Sequence, residues 1–204
     1  MITEADVTLT DWALAIEAAV LATLLGRSAP AWQAFFGSIG VAAFLGGVTH
    51  GFFADGLGWA ATALWRATLL ALGVTSVAAI VAGAEAVSPG LVRGARRAAI
   101  VGMLAYAAVI VFVTDTFAVA VIAYLPATLF LLAVFAIVYR RTRERGSLAG
   151  VAGLGVLLLG SWVQWRGLSV PALGLTHNAL YHVIQALALP LIYLGAMDLR
   201  ARAR

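Results

Sequence analysis

Seven long apolar runs follow one another along the chain, each interrupted by a short stretch that is polar, charged or rich in glycine. Runs of about 18 or more apolar residues are long enough to cross a bilayer as helices. The pattern therefore predicts helices over about 8–25, 31–54, 59–84, 97–114, 116–139, 148–165 and 175–198. The fourth and fifth are divided by Thr114, Asp115 and Thr116. Pro126 and Pro190 fall inside spans, where neighbouring helices can satisfy the freed carbonyls, and Pro30 suits a helix start. Gly47-x-x-x-Gly51 and Gly146-x-x-x-Gly150 carry the small-residue spacing that lets helix backbones approach closely. No internal repeat is evident, and an odd number of spans does not favour a simple inverted-repeat transporter. The expected fold is all-α: a polytopic membrane protein whose residues 1–204 form one seven-helix bundle.

Composition reinforces this reading. The 204 residues are 63% hydrophobic and 11% charged, with a mean hydropathy of +1.01, and a soluble domain would carry more charge. The absence of cysteine excludes disulfides and thiolate metal sites. All 13 basic residues are arginine. Without lysine there is no Schiff base, which excludes a retinal-binding rhodopsin. The alanine- and arginine-rich, lysine-free composition points to a GC-rich bacterial genome, hence to the bacterial cytoplasmic membrane. The net charge of +4 comes from arginines placed between spans, so membrane lipids rather than nucleic acid are the expected partners. The Arg140–Arg145 cluster would lie at anionic headgroups. The start, MITEADVTLTD, is acidic and lacks the basic region of a secretory signal, so the first span is expected to be retained.

Arginine counts set the expected orientation. With the N-terminus outside, the inner segments hold Arg27, Arg93, Arg96, Arg97, Arg140, Arg141, Arg143, Arg145, Arg200, Arg202 and Arg204, eleven of the thirteen. Only Arg66 and Arg166 fall outside, with Glu4, Asp6, Asp11, Asp55 and Asp115. The same orientation puts all three histidines, His50, His177 and His182, in the outer half. Ionisable groups in a membrane are costly and usually face an interior cavity, so a polar pocket open to the outside is expected. Three imidazoles and a water make a catalytic zinc site, and a carboxylate beside it can hold or move the water's proton. Asp55 is the nearest candidate for that catalytic role, with Glu17 and Asp115 behind it. Asn178, His182 and Gln185 share one helix face, as do His177 and Tyr181, so Asn178, Tyr181 and Gln185 would support the site or line the pocket. His177 and His182 are five residues apart, about 140° around an ideal helix. They meet only through a π-bulge or through looser geometry in a first turn capped by Thr176.

The segment HNALYH at 177–182 resembles the His-Ala-Leu-Trp-His motif in the last span of alkaline ceramidases. His50, in GGVTHGFFAD, is similar to the single histidine near the end of their second span. The start TLTDWALAIE, with Asp11, Trp12 and Glu17, is similar to the acidic Asp-Trp stretch before their first span. Seven spans with the N-terminus outside and the C-terminus inside also agree. With the adiponectin receptors, these enzymes form the CREST superfamily, seven-span proteins with a zinc held by three histidines. The resemblance implies a lipid-amide hydrolase or a relative, acting on a lipid-like amide or ester, with zinc on His50, His177 and His182. The sequence also departs from that pattern. The family histidine pair is His-x-x-x-His, Gly46 stands where the family has a serine, and the family aspartate early in the third span has no counterpart, Arg66 being the charged residue there.

Two other classes remain open at this level: a haem-binding membrane cytochrome with two histidines as axial ligands, and a non-enzymatic receptor or transporter with an outward ligand cavity. Simpler structural roles are also expected. Glu17 would pair with Arg66, Asp115 would cap a helix, and Trp12, Trp32, Trp59, Trp162 and Trp165 would anchor at the membrane interface, leaving Trp65 inside.

Overall fold

The computed structural model describes residues 2–202 and the side chains up to Ala201; Arg202 and Arg204 of the C-terminal arginine group therefore lie outside the described side chains. Seven α-helices account for nearly all of it: α1 (Ala5–Leu25), α2 (Pro30–Phe52), α3 (Gly58–Val87), α4 (Pro89–Phe112), α5 (Phe117–Thr142), α6 (Arg145–Trp165) and α7 (His177–Arg202). Each is long and apolar enough to cross a membrane. Pro30 opens α2 as expected, Thr114–Thr116 lie between α4 and α5, and Pro126 and Pro190 sit inside unbroken helices. The fourth helix starts two turns earlier than the hydropathy suggests. Pro89 takes its first turn, where a missing N–H costs nothing, and Arg93, Arg96 and Arg97 project from those exposed turns.

Helix pairing closes a ring. α1 packs on α2, α2 on α3, α3 on α5, α5 on α6, α6 on α7, and α7 returns to α1, while α4 lies outside against α3. Accordingly, α4 buries only Ala99, Tyr106 and Ile110, with the Tyr106 hydroxyl donating to the Leu69 carbonyl at 2.9 Å. Glycine makes the tightest seams possible. A Cβ on Gly47 would lie 2.6 Å from the Trp12 ring of α1, and one on Gly51 would lie 3.0 Å from the Thr8 hydroxyl. On α6, a Cβ on Gly153 would lie 2.8 Å from the Ile192 backbone nitrogen of α7. Small residues at helix interfaces allow this closeness, which supplies the dispersion contacts that a lipid-facing surface cannot.

The core around Phe35, Phe36, Phe135 and Leu131 fills the end of the ring away from the N-terminus. Trp32 belongs to this core, not to an interfacial belt. It is 3% exposed and its ring lies 5.7–6.4 Å from those of Phe35, Phe36 and Phe135. Trp59 and Trp165 are 85% and 79% exposed, whereas the indole nitrogen of Trp12 is buried and its ring lies against Gly47 of α2. At the far end Arg200 donates to the Leu25 carbonyl at 2.8 Å and to the Ser28 hydroxyl. At the N-terminal end Asp6 accepts from the Thr176 backbone N–H at 2.9 Å and from its hydroxyl at 2.7 Å, tying α1 to the start of α7.

Candidate functional site

A cavity of about 270 Å³ opens at the N-terminal end of the ring, and all six ring helices line it. α1 contributes Asp11 and Leu14, α2 Ile39, Gly46 and His50, and α3 Trp65, Thr68 and Leu72. Phe117 comes from α5, Gln164 from α6, and Asn178, Tyr181, His182 and Gln185 from α7. The α7 residues follow the helix period: 178, 181, 182 and 185 share one face, and the ring turns that face inward.

The two cavity histidines are held in similar ways. His50 Nδ1 lies 2.6 Å from Glu4 Oε2, beside the chain entry, where Glu4 N–H also donates to the His50 carbonyl at 3.3 Å. The carboxylate is acceptor-only, so Nδ1 carries the proton and Nε2 is left with its lone pair in the neutral ring. His182 Nδ1 lies 3.4 Å from Thr10 Oγ1. The Thr10 hydroxyl is itself directed at the carbonyls of Asp6 and Val7, at 2.8 and 3.0 Å. Its one proton is directed at those carbonyls, so its oxygen can accept from His182 in the tautomer that carries the proton on Nδ1. An outer oxygen on one ring nitrogen, freeing the other, is the arrangement that orients metal-binding histidines.

His182 Nε2 faces Asp11 Oδ1 at 3.3 Å. Asp11 is 3% exposed, and its other oxygen, Oδ2, is buried without a hydrogen-bond partner. Gly46 makes room for it: a Cβ there would lie 3.1 Å from Oδ2. The Gln164 amide N–H donates to the Asn178 side-chain carbonyl, while Gln164 Oε1 is buried and unpartnered. The Gln185 amide donates to the Tyr181 hydroxyl at 3.0 Å.

The residues expected from the sequence are distributed unevenly around this cavity. His50, His182, Asn178, Tyr181 and Gln185 line it, whereas His177, Asp55, Glu17 and Asp115 do not. α7 runs as a regular α-helix from His177 onward, without a π-bulge, and Thr176 accepts from the Ala179 N–H at 3.4 Å as its cap. The five-residue spacing therefore turns His177 away from His182. Asp55 is exposed and accepts from the Leu57 N–H at 3.3 Å, fixing the turn into α3. Arg66 pairs not with Glu17 but with Asp115, Nε to Oδ2 at 3.0 Å, and Trp65 donates to the Asp115 carbonyl at 2.7 Å. Asp115 thus clamps the α4–α5 connection to α3 rather than capping a helix. Among the described residues, no three histidine, aspartate or glutamate side chains already stand at ligating spacing.

Comparison with known proteins places the chain but brings no activity with it. The family described as "Family of unknown function (DUF6962)" matches residues 7–201. The chain belongs to DUF6962. No curated protein and no solved structure matches it. The DUF6962 match covers nearly all of the seven helices and every residue that lines the cavity, while Glu4, which holds His50, precedes it.

Proposed function

We propose that this DUF6962 protein is an integral membrane hydrolase, metal-dependent and most simply zinc-dependent, that cleaves a lipid-like amide or ester in the bacterial cytoplasmic membrane. The arginine bias favours an N-terminus outside and a cytoplasmic C-terminus, so the cavity would open toward the outer leaflet. One observation carries the reading: two imidazoles face a single cavity, each with Nδ1 beside an oxygen, and His182 Nε2 faces Asp11 Oδ1. His50 and His182 are donors of the type that zinc takes, and the unpartnered oxygen of Asp11 lies on the residue beside His182. Zinc there would supply Lewis acidity toward a carbonyl.

The chain's own residues do the rest. Gln164 Oε1, buried and unpartnered, is placed to accept from an amide N–H or a hydroxyl of the substrate. Asn178 is held by Gln164, which leaves its amide N–H groups available as donors. A second, more apolar cavity shares Ile39, Leu72, Tyr181 and Gln185 with the first and continues between Phe35, Ala127, Leu131 and Leu154. That second space is about 50 Å³ and also carries the hydroxyls of Thr75, Ser76, Tyr124 and Thr128, so it would take a short apolar group next to a polar head.

The test uses detergent-purified protein, metal analysis by mass spectrometry and a panel of N-acyl and ester lipids assayed for released fatty acid. About one equivalent of zinc and hydrolysis that His182→Ala abolishes are expected. Metal-free protein that cleaves nothing in the panel refutes the proposal.

A further inference from the structure

We infer that Asp11, not His177, is the third protein ligand of the metal site, giving a donor set of His50, His182 and one carboxylate. The inference rests on the hydrolase reading above and specifies its centre.

Asp11 Oδ1 and His182 Nε2 are 3.3 Å apart. In the tautomer that carries the His182 proton on Nδ1, toward Thr10, the atoms that face each other are a carboxylate oxygen and an imidazole lone pair. Such a pair needs a proton or a metal cation between the two atoms. The separation is long for a charge-assisted N–H···O hydrogen bond, which is about 2.7–2.9 Å. It matches the edge of a tetrahedron with metal–ligand bonds of about 2.0–2.1 Å, which is about 3.3–3.4 Å. Asp11 Oδ2 gives the second, independent sign. It is a buried carboxylate oxygen with no partner, on a residue 3% exposed that lines the cavity. A buried carboxylate is normally compensated by hydrogen bonds or a cation, and Gly46 leaves that oxygen open instead of covering it. His182 and Asp11 therefore form a pair at the cavity wall; among the described residues they do not stand at ligating spacing with His50, so metal binding has to draw the three together. His50 is the other imidazole that faces the cavity, with its own Nδ1 already satisfied by Glu4. His177 sits five residues from His182 on an undistorted helix and outside the cavity lining. Two histidines with one carboxylate and an open position form an established catalytic zinc set.

The experiment is X-ray absorption on the zinc-loaded full-length protein, which counts imidazoles directly, together with zinc affinity of Asp11→Asn, Asp11→Ala and His177→Ala. Expected are two imidazoles with the remaining ligands oxygen, affinity lowered at least tenfold in both Asp11 variants, and unchanged affinity in His177→Ala. Three imidazoles, with zinc lost in His177→Ala, overturn the assignment to Asp11 and leave the hydrolase standing. Wild-type protein that takes up no zinc overturns both. If the Asp11 variants do not fold, the wild-type spectrum still decides between two imidazoles and three.

Discussion

The seam between α1 and α2 holds Asp11 in place, and Gly47 is where it can be tested. A Cβ at Gly47 would lie 2.6 Å from both Cδ1 and Nε1 of Trp12 and 3.1 Å from the Asp11 Cβ. Ordinary carbon contacts begin at about 3.5 Å, so Gly47→Ala forces the indole or the whole of α1 back by about 1 Å. The ring has limited room, because Trp12 Nε1 is buried and its centroid lies 6.4 Å from that of Phe52. Overpacking of this kind costs about 1–3 kcal/mol, against a helix-propensity gain of about 1 kcal/mol for replacing glycine by alanine. The net expectation is a loss of up to about 2 kcal/mol, about 1–3 kcal/mol below a glycine-to-alanine change that meets nothing. Gly155→Ala provides the control, since nothing lies within 4 Å of its added Cβ; it should be neutral or gain up to about 1 kcal/mol. Equilibrium unfolding in mixed detergent–SDS micelles measures both. If Gly47→Ala is as stable as Gly155→Ala, the backbones of α1 and α2 are not in close contact, and the position derived for Asp11 fails with them.

Two further substitutions probe how the cavity mouth is held. Thr176→Val removes both the cap of α7 and a hydrogen bond to Asp6; a loss of about 1 kcal/mol is expected, seen as faster hydrogen exchange of the amides at 177–180, and unchanged exchange would refute the anchoring role. Arg66→Ala breaks a pair whose partners are each more than a third exposed, so solvent screening limits the loss to about 0–1 kcal/mol. A larger loss would mean that Arg66 also supports groups beyond Asp115.

Span positions were readable in the sequence because bilayer thickness imposes a length on apolar runs. The start of α4 was not, since an arginine-bearing helical turn and an arginine-bearing loop have the same hydropathy. Trp32 was misplaced for a related reason: tryptophan near a helix end fits an interface or a core equally well, and only the neighbouring Phe35, Phe36 and Phe135 decide. The inward face of α7 was legible from the helix period, and the same period showed that His177 and His182 diverge. Asp11 was recognised only as part of an acidic stretch, because the meeting of α1 with α7 is a tertiary fact. One local signal existed. Thr8, Asp11, Leu14, Ala15 and Ala18 fall on one buried face of α1, and a carboxylate within such a stripe has to find a partner inside the bundle.

That placement also bears on two positions where the sequence departs from the alkaline ceramidase pattern. One is the glycine at position 46 where that pattern has a serine; the other is the lack of an aspartate early in the third span. Gly46 lies one helical turn before His50, and its missing Cβ leaves the space against which Asp11 Oδ2 packs. A serine there would bring a Cβ to 3.1 Å from that oxygen, so the carboxylate of α1 would have to give by a few tenths of an ångström. The missing side chain on α2 leaves room for Asp11, the acid of the Asp-Trp stretch that the resemblance covers, to reach His182. On the third helix the charged residue, Arg66, serves the α4–α5 connection.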